Sequence, residues 1–359
     1  MNNQNQFSPR LHLHRYLTVA YLLFIIYASL SPFSGWQDQG LHFIDVLYAP
    51  INQTFTWFDS ILNCISYLPF GFLLAYMLRN HWSAYRASIL STLAGLSVSV
   101  AVEYTQMYLP VRVSSNIDII SNTVGAFCGA ITALVIANYT WFSHLKSWHE
   151  QWIKVGRSTD FGLALLVAWM FAQVNPSLPM LGSVIVSAIS RWPFDIVHSA
   201  PFNWLECSEV ALNMLLLGVL LSTLVRELRF TLSTLLLVLF IVTVIKFIAA
   251  AVLLKSWAVL LWLDTEAMFG IIAGLLMLLA AMMFSHKWLL KIGFLAAILY
   301  LVLVVNLILD TSPSAVMRLY HWHYIHMLNY NGLSQVINLA FPVLLLGYLL
   351  RARLLKVVK

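Results

Sequence analysis

Charge is what this chain has least of. Only 9% of its 359 residues are Asp, Glu, Lys or Arg, while 61% are hydrophobic; an ordinary globular chain carries about 25% and roughly 45–50%. So few charged groups cannot cover the surface of a soluble domain. Cysteine is scarce too: Cys64, Cys128 and Cys207 all fall in or beside apolar runs, and an odd number so placed makes no disulfide framework. There is no phosphate-cradling glycine loop, no dinucleotide fingerprint and no His-Glu-x-x-His zinc motif, so no cofactor is expected. No connection between apolar runs is long enough to house a soluble catalytic domain. What remains in abundance is apolar sequence in stretches of about 17–25 residues, the length that crosses a bilayer as a helix. The expected fold class is all-α, a polytopic transmembrane bundle.

About ten spans are expected, near residues 16–32, 60–78, 88–109, 117–137, 161–190, 207–225, 230–254, 265–284, 288–309 and 333–350, the fifth interrupted by Pro176 and Pro179. The first run follows Arg10 and Arg15 and is read as a retained span rather than a cleaved signal. Basic residues alternate between the connections. Arg10, Arg15, Arg79, Arg86, Lys146, Lys154, Arg157, Arg226, Arg229, Lys287, Lys291, Arg351, Arg353, Lys356 and Lys359 collect on one side, and Arg112, Arg191, Lys255 and Arg318 on the other. The positive-inside rule makes the crowded side cytoplasmic, with both termini there. That arrangement accounts for the formal net charge of +6 without a nucleic-acid partner. Lys246 falls inside a span, where pairing with Glu209 or snorkelling outward would each relieve it.

One stretch breaks the apolar rule: "VEYTQMYLPVRVSSNIDIISNTVGAFCGA", residues 102–130. Glu103 and Gln106 share a helical face, as do Asp118 and Asn122. Counting back from Leu109 puts Glu103 about 9 Å deep, and counting on from Asp118 puts Asn122 about 6 Å in, at about 1.5 Å per residue. A helical hairpin would bring the four to one level on the outer side. Pro110 ends the first helix and "SSN" supplies capping groups for the next. Arg112, in the turn, can pair with Glu103 or Asp118 or offer its planar donors to a carboxylate or phosphate. Charged groups at membrane depth are costly and usually face a cavity or pathway; a buried polar lock between helices is the other account. His321, His323 and His326 form a weaker candidate for metal, because no acidic or thiol partner is regularly spaced with them.

An internal echo sharpens the contrast. "FTWFDSILNCISYLPFGFLLAYMLR" aligns without a gap on "FNWLECSEVALNMLLLGVLLSTLVR", matching Trp57 to Trp204, Asp59 to Glu206, Gly71 to Gly218 and Arg79 to Arg226. Gly125 and Gly129 recur as Gly270 and Gly274, whereas Glu103, Gln106, Asp118 and Asn122 meet Ile248, Ala251, Leu263 and Ala267. The expected organisation is a four-span unit over 1–155, a degenerate parallel copy over 156–285 and two further spans over 286–359.

"LNCISYLPFGFLL" and "EYTQMYLPVRVSSNIDIISNTVGAFCG" together resemble the VanZ-like family, multi-span bacterial membrane proteins named for a glycopeptide (teicoplanin) resistance factor. The resemblance covers roughly residues 10–140. It implies a bacterial cytoplasmic-membrane protein of the cell envelope, with Asn63, Glu103, Gln106, Arg112, Asp118 and Asn122 as its characteristic polar residues. The expected ligand is a membrane lipid or lipid-linked envelope intermediate held at an outer-leaflet site. Two alternatives stay open: a membrane-embedded transferase or hydrolase with Glu103 or Asp118 as general base, and a proton-coupled transporter using Glu103.

Overall fold

The computed structural model describes residues 11–50, 57–137, 152–183, 202–309, 320 and 325–357. Helix is the only extended secondary structure among them, and nine of the helices are long and apolar enough to cross a membrane. The chain divides into two compact units, Met1–Glu150 and Gln151–Lys359. The residues after 285 therefore belong to the same unit as those of 156–285.

The first unit contains α1 (Leu11–Leu30), the short α2 (Phe43–Leu47), α3 (Trp57–Leu78), α4 (Ala84–Gln106) and α5 (Asn116–Ala137). Its centre is a crossing of α3, α4 and α5 built from small residues. Gly125 and Gly129 on α5 lie against the carbonyls of Cys64 and Leu68, and Gly71 on α3 lies against the backbone of Ala126. A Cβ at any of these three positions would collide with backbone, so only glycine allows this approach. Ala126, fully buried, also meets Gly95 of α4, and the Ser91 hydroxyl donates to the Gly71 carbonyl at 2.8 Å. Helix α1 runs antiparallel to α3: His14 packs on Tyr76 with ring centroids 4.5 Å apart, and the Tyr21 hydroxyl donates to the Ser66 carbonyl at 3.0 Å. Arg15, Arg79 and Arg86 thus share one end of this unit.

The opposite end is closed by the segment leading into and through α2. The Gln37 N–H donates to the Tyr108 carbonyl at 3.0 Å and Gln39 Nε2 to the Met107 carbonyl at 2.7 Å. From the start of α5, Asn116 Nδ2 reaches the carbonyls of Leu47 and Ala49 at 3.2 and 2.8 Å.

The second unit contains α6 (Arg157–Gln173), α7 (Trp204–Leu224), α8 (Phe230–Leu253), α9 (Thr265–Met282), α10 (His286–Leu309) and α11 (Ile325–Val357). Helix α7 is its axis and is buried along nearly its whole length. Gly270 and Gly274 of α9 approach the carbonyls of Cys207 and Ala211 on α7. The sequence alignment pairs Ala211 with Cys64, which faces Gly125, so α9 sits about one helical turn along from the register expected from the aligned glycines.

The expected span over 161–190 differs most. Its helix stops at Gln173, and residues 175–183 continue as buried, irregular backbone. Pro176 and Pro179 explain the stop, since each lacks an N–H and clashes with the preceding turn. Such backbone is tolerated at membrane depth only where the protein satisfies it. Lys246 of α8 does so: its ammonium donates to the carbonyls of Gln173 and Asn175, each at 2.9 Å, and of Pro179 at 3.5 Å. It neither pairs with Glu209 nor snorkels, since it is fully buried. A polar knot finishes the job, with Asn175 Nδ2 donating to Asn331 Oδ1 at 2.9 Å and to Ser334 Oγ at 3.1 Å, and the Tyr320 hydroxyl to Asn331 Oδ1 at 2.9 Å.

Candidate functional site

Three tiers of polar side chains occupy the end of the first unit where α4 turns into α5. The uppermost clasps α1. Arg112 donates from Nη2 to the carbonyls of Ala28 at 3.0 Å and Ser31 at 2.8 Å, and from Nε to Ser31 at 3.3 Å. Gln106 Nε2 adds a bond to the Ser29 carbonyl at 2.9 Å. These oxygens are the unsatisfied carbonyls at the end of α1, where a cation is favoured. Arg112 therefore spends its fork on the backbone and not on Glu103 or Asp118. Burial lowers its pKa from the ordinary value, but a guanidinium stays charged through the physiological range. Its Nη1 makes none of these bonds.

Glu103 holds the middle tier. Although only 2% exposed, it accepts a hydrogen bond from the Ser115 N–H at Oε2, 2.9 Å away, while the Ser114 hydroxyl donates to its carbonyl at 2.8 Å. The acid thus serves a backbone donor left free at the start of α5. Ser115 caps the same helix through its own hydroxyl, which accepts from the Ile117 N–H at 3.2 Å. Asp118, half-buried, stands within electrostatic range of Glu103.

One turn deeper, Asn122 Nδ2 donates to the Ser99 hydroxyl at 2.9 Å. Among the described residues Asn122 Oδ1 makes no hydrogen bond within 3.5 Å, and neither does the hydroxyl of Tyr67, which enters from α3; the two residues are 4% and 3% exposed. Tyr67 lies beside Ser99 and within range of Glu103 and Asp118. Asn63 stands half-buried on α3, one turn from Tyr67 and on the same face.

The four residues of the expected hairpin are thus spread over three levels: Gln106 bonded to the end of α1, Glu103 with Asp118, and Asn122 with Ser99. Tyr67 and Ser99 belong to the site, and neither is among the six characteristic polar residues named above. Their spacing would have found them, since Ser99 is one turn before Glu103 and Tyr67 one turn after Asn63. His321 and His323 lie outside the described residues, as does the side chain of His326. No group of three or more His, Cys, Asp or Glu stands ready for a metal among the described residues.

This constellation lies inside a segment that matches a known family. Residues 14–138 match the family model described as VanZ/LLP1, a match that takes in α1 to α5 and every tier of the site. Over these residues the chain is similar to that family, and with nine long apolar helices among the described residues it is a multi-pass membrane protein. No curated protein and no solved structure matches it.

Proposed function

We propose that the tiered end of the first unit faces the outer leaflet and receives the polar head group of an anionic amphiphile, a lipid-linked phosphate or phospho-glycan of the envelope. The orientation rests on the positive-inside rule, because Arg15, Arg79 and Arg86 mark the opposite end. The observation that carries the proposal is the pair of unpartnered atoms, Tyr67 Oη and Asn122 Oδ1, buried beside two acids. A buried polar atom without a partner costs about 1–3 kcal/mol, and in this protein the cost falls on two packed helices, α3 and α5. A ligand hydroxyl or amide would satisfy both. Arg112 Nη1 supplies a donor for a phosphate oxygen, and Glu103 and Asp118 supply acceptors for sugar hydroxyls.

The hydrogen bonds of Arg112, Gln106 and Glu103 to backbone give these residues a second duty, holding the α4–α5 turn and the end of α1 as a fixed rim. Such support is what a preorganised polar site requires. In the same reading the second unit is a degenerate copy of the first: both use paired glycines on one helix against carbonyls of another.

The test is to purify the full chain with native lipids, identify what copurifies by mass spectrometry, and repeat with Arg112→Ala and Glu103→Gln. Loss of one phosphate-bearing lipid class in both variants supports the proposal. Retention of an unchanged lipid complement by both overturns it.

A further inference from the structure

The second unit holds a polar site of its own, away from every residue considered so far as functional. After α6 ends, residues 181–183 are clasped by three buried side chains. Asn213 Nδ2 donates to the Leu181 carbonyl at 2.5 Å, Gln173 Nε2 donates to the Gly182 carbonyl at 3.2 Å, and the Ser183 hydroxyl bonds to Glu209 Oε1. Leu181 sits at φ +65°, a left-handed conformation that a branched aliphatic residue adopts only when its surroundings impose it. Tyr300 of α10 comes up beside both Ser183 and Glu209.

Among the described residues three oxygens there make no hydrogen bond within 3.5 Å, Glu209 Oε2, Tyr300 Oη and Gln173 Oε1, on residues that are each 0% exposed, with the Ser183 hydroxyl the neighbour of Tyr300. The set is chemically uniform. It comprises one carboxylate oxygen, one phenolic oxygen and one amide oxygen, with the Ser183 hydroxyl and the second lone pair of the Gly182 carbonyl adjoining. An ionised carboxylate in such a place needs a counter-charge. Lys246 does not provide it, being bonded to the carbonyls of Gln173, Asn175 and Pro179, where it offsets the negative end of α6. Among the described residues, the other charged side chains buried on α7 and its neighbours, Glu206, Glu266 and Asp160, are all acidic.

We propose that this cluster is a binding site for a monovalent alkali cation, Na+ in the first instance, with Glu209 as its one charged ligand. All-oxygen donors suit a hard cation, and unwound backbone beside a broken helix is where membrane proteins commonly hold Na+. One carboxylate among otherwise neutral ligands balances a single positive charge and leaves a divalent ion uncompensated.

The experiment uses the purified full chain in detergent with thermal unfolding followed by intrinsic fluorescence, titrated with NaCl, KCl or choline chloride at constant ionic strength, alongside binding of radioactive 22Na+. The expected result is a saturable rise in Tm with NaCl over choline chloride, matched by saturable 22Na+ binding. Both are lost in Glu209→Gln, and the half-saturating Na+ is raised about tenfold in Tyr300→Phe, the weakening expected when one ligand is removed. Identical responses to NaCl and choline chloride in the wild type overturn the site, as does undiminished 22Na+ binding by Glu209→Gln. Should Glu209→Gln fail to fold, an unchanged half-saturation in Tyr300→Phe overturns it instead.

Discussion

Tyr67→Phe separates a ligand site from a mere helix lock, because the two accounts predict stability changes of opposite sign. The tyrosine ring packs with Ile25, Phe70 and Ala126, and phenylalanine keeps all of that. Only the hydroxyl goes, and in the ligand-free protein the hydroxyl has no partner. Its burial costs about 1–3 kcal/mol, so its removal should stabilise the delipidated chain by about 1 kcal/mol, the low end being taken because the polar surroundings soften the penalty. For a folding unit of 150–250 residues that is about 2–4 °C in Tm. With native lipid bound the sign should reverse, because the hydroxyl then bonds to the ligand and its loss costs about 1 kcal/mol. The assay is thermal unfolding of wild type and variant, each with and without exhaustive delipidation. A delipidated Tyr67→Phe that melts lower than wild type would refute the reasoning, since the hydroxyl would then be bonded inside the protein. Ser99 is its nearest candidate, and a double-mutant cycle with Ser99→Ala would register that bond as a coupling of about 1 kcal/mol; the present account predicts none.

Other substitutions test the scaffold. Arg112→Lys should destabilise the first unit by about 1.5–3 kcal/mol, the worth of hydrogen bonds to a charged group, because a single ammonium cannot reproduce the fork that reaches both Ala28 and Ser31; differential scanning fluorimetry reads this. Gly129→Leu forces a branched side chain against the Leu68 carbonyl and should cost at least about 1–3 kcal/mol, seen as lowered Tm and reduced yield of monodisperse protein. Lys246→Met leaves the Gln173 and Asn175 carbonyls unsatisfied within the bundle, at about 1–3 kcal/mol each. Hydrogen exchange should then accelerate across residues 174–183 and change little across α3 to α5.

The long apolar runs made the helices legible because span length is dictated by bilayer thickness and apolar content by the lipid. Nine of the expected spans match helices to within several residues at each end, counting the last inside a longer helix. The fifth was harder: the prolines foretold a break, but where the chain goes after Gln173 depends on Lys246, Asn331 and Ser334, which lie far along the sequence. The polar residues of 102–130 stood out because charge is rare there. Their partners did not, because Arg112 and Gln106 bond to main-chain carbonyls of α1, and a carbonyl leaves no mark in a sequence. Tyr67 and Ser99 carried only their helical spacing from Asn63 and Glu103 as a signal, a weak one because an isolated hydroxyl in an apolar helix ordinarily bonds to its own backbone. The polar heart of the second unit escaped notice because Gln173, Ser183, Glu209 and Tyr300 come from four separate segments.

The central claim is that the first unit holds a head group between Tyr67, Asn122 and Arg112. A cryo-electron microscopy map of the full chain in nanodiscs of its native lipids tests it most directly. The account predicts density that is neither protein nor bulk acyl chain, within hydrogen-bonding distance of Tyr67 Oη, Asn122 Oδ1 and Arg112 Nη1, and its loss in Tyr67→Phe. A site closed on itself, with Tyr67 Oη bonded to Ser99 or Asn122 and nothing between them, would contradict it.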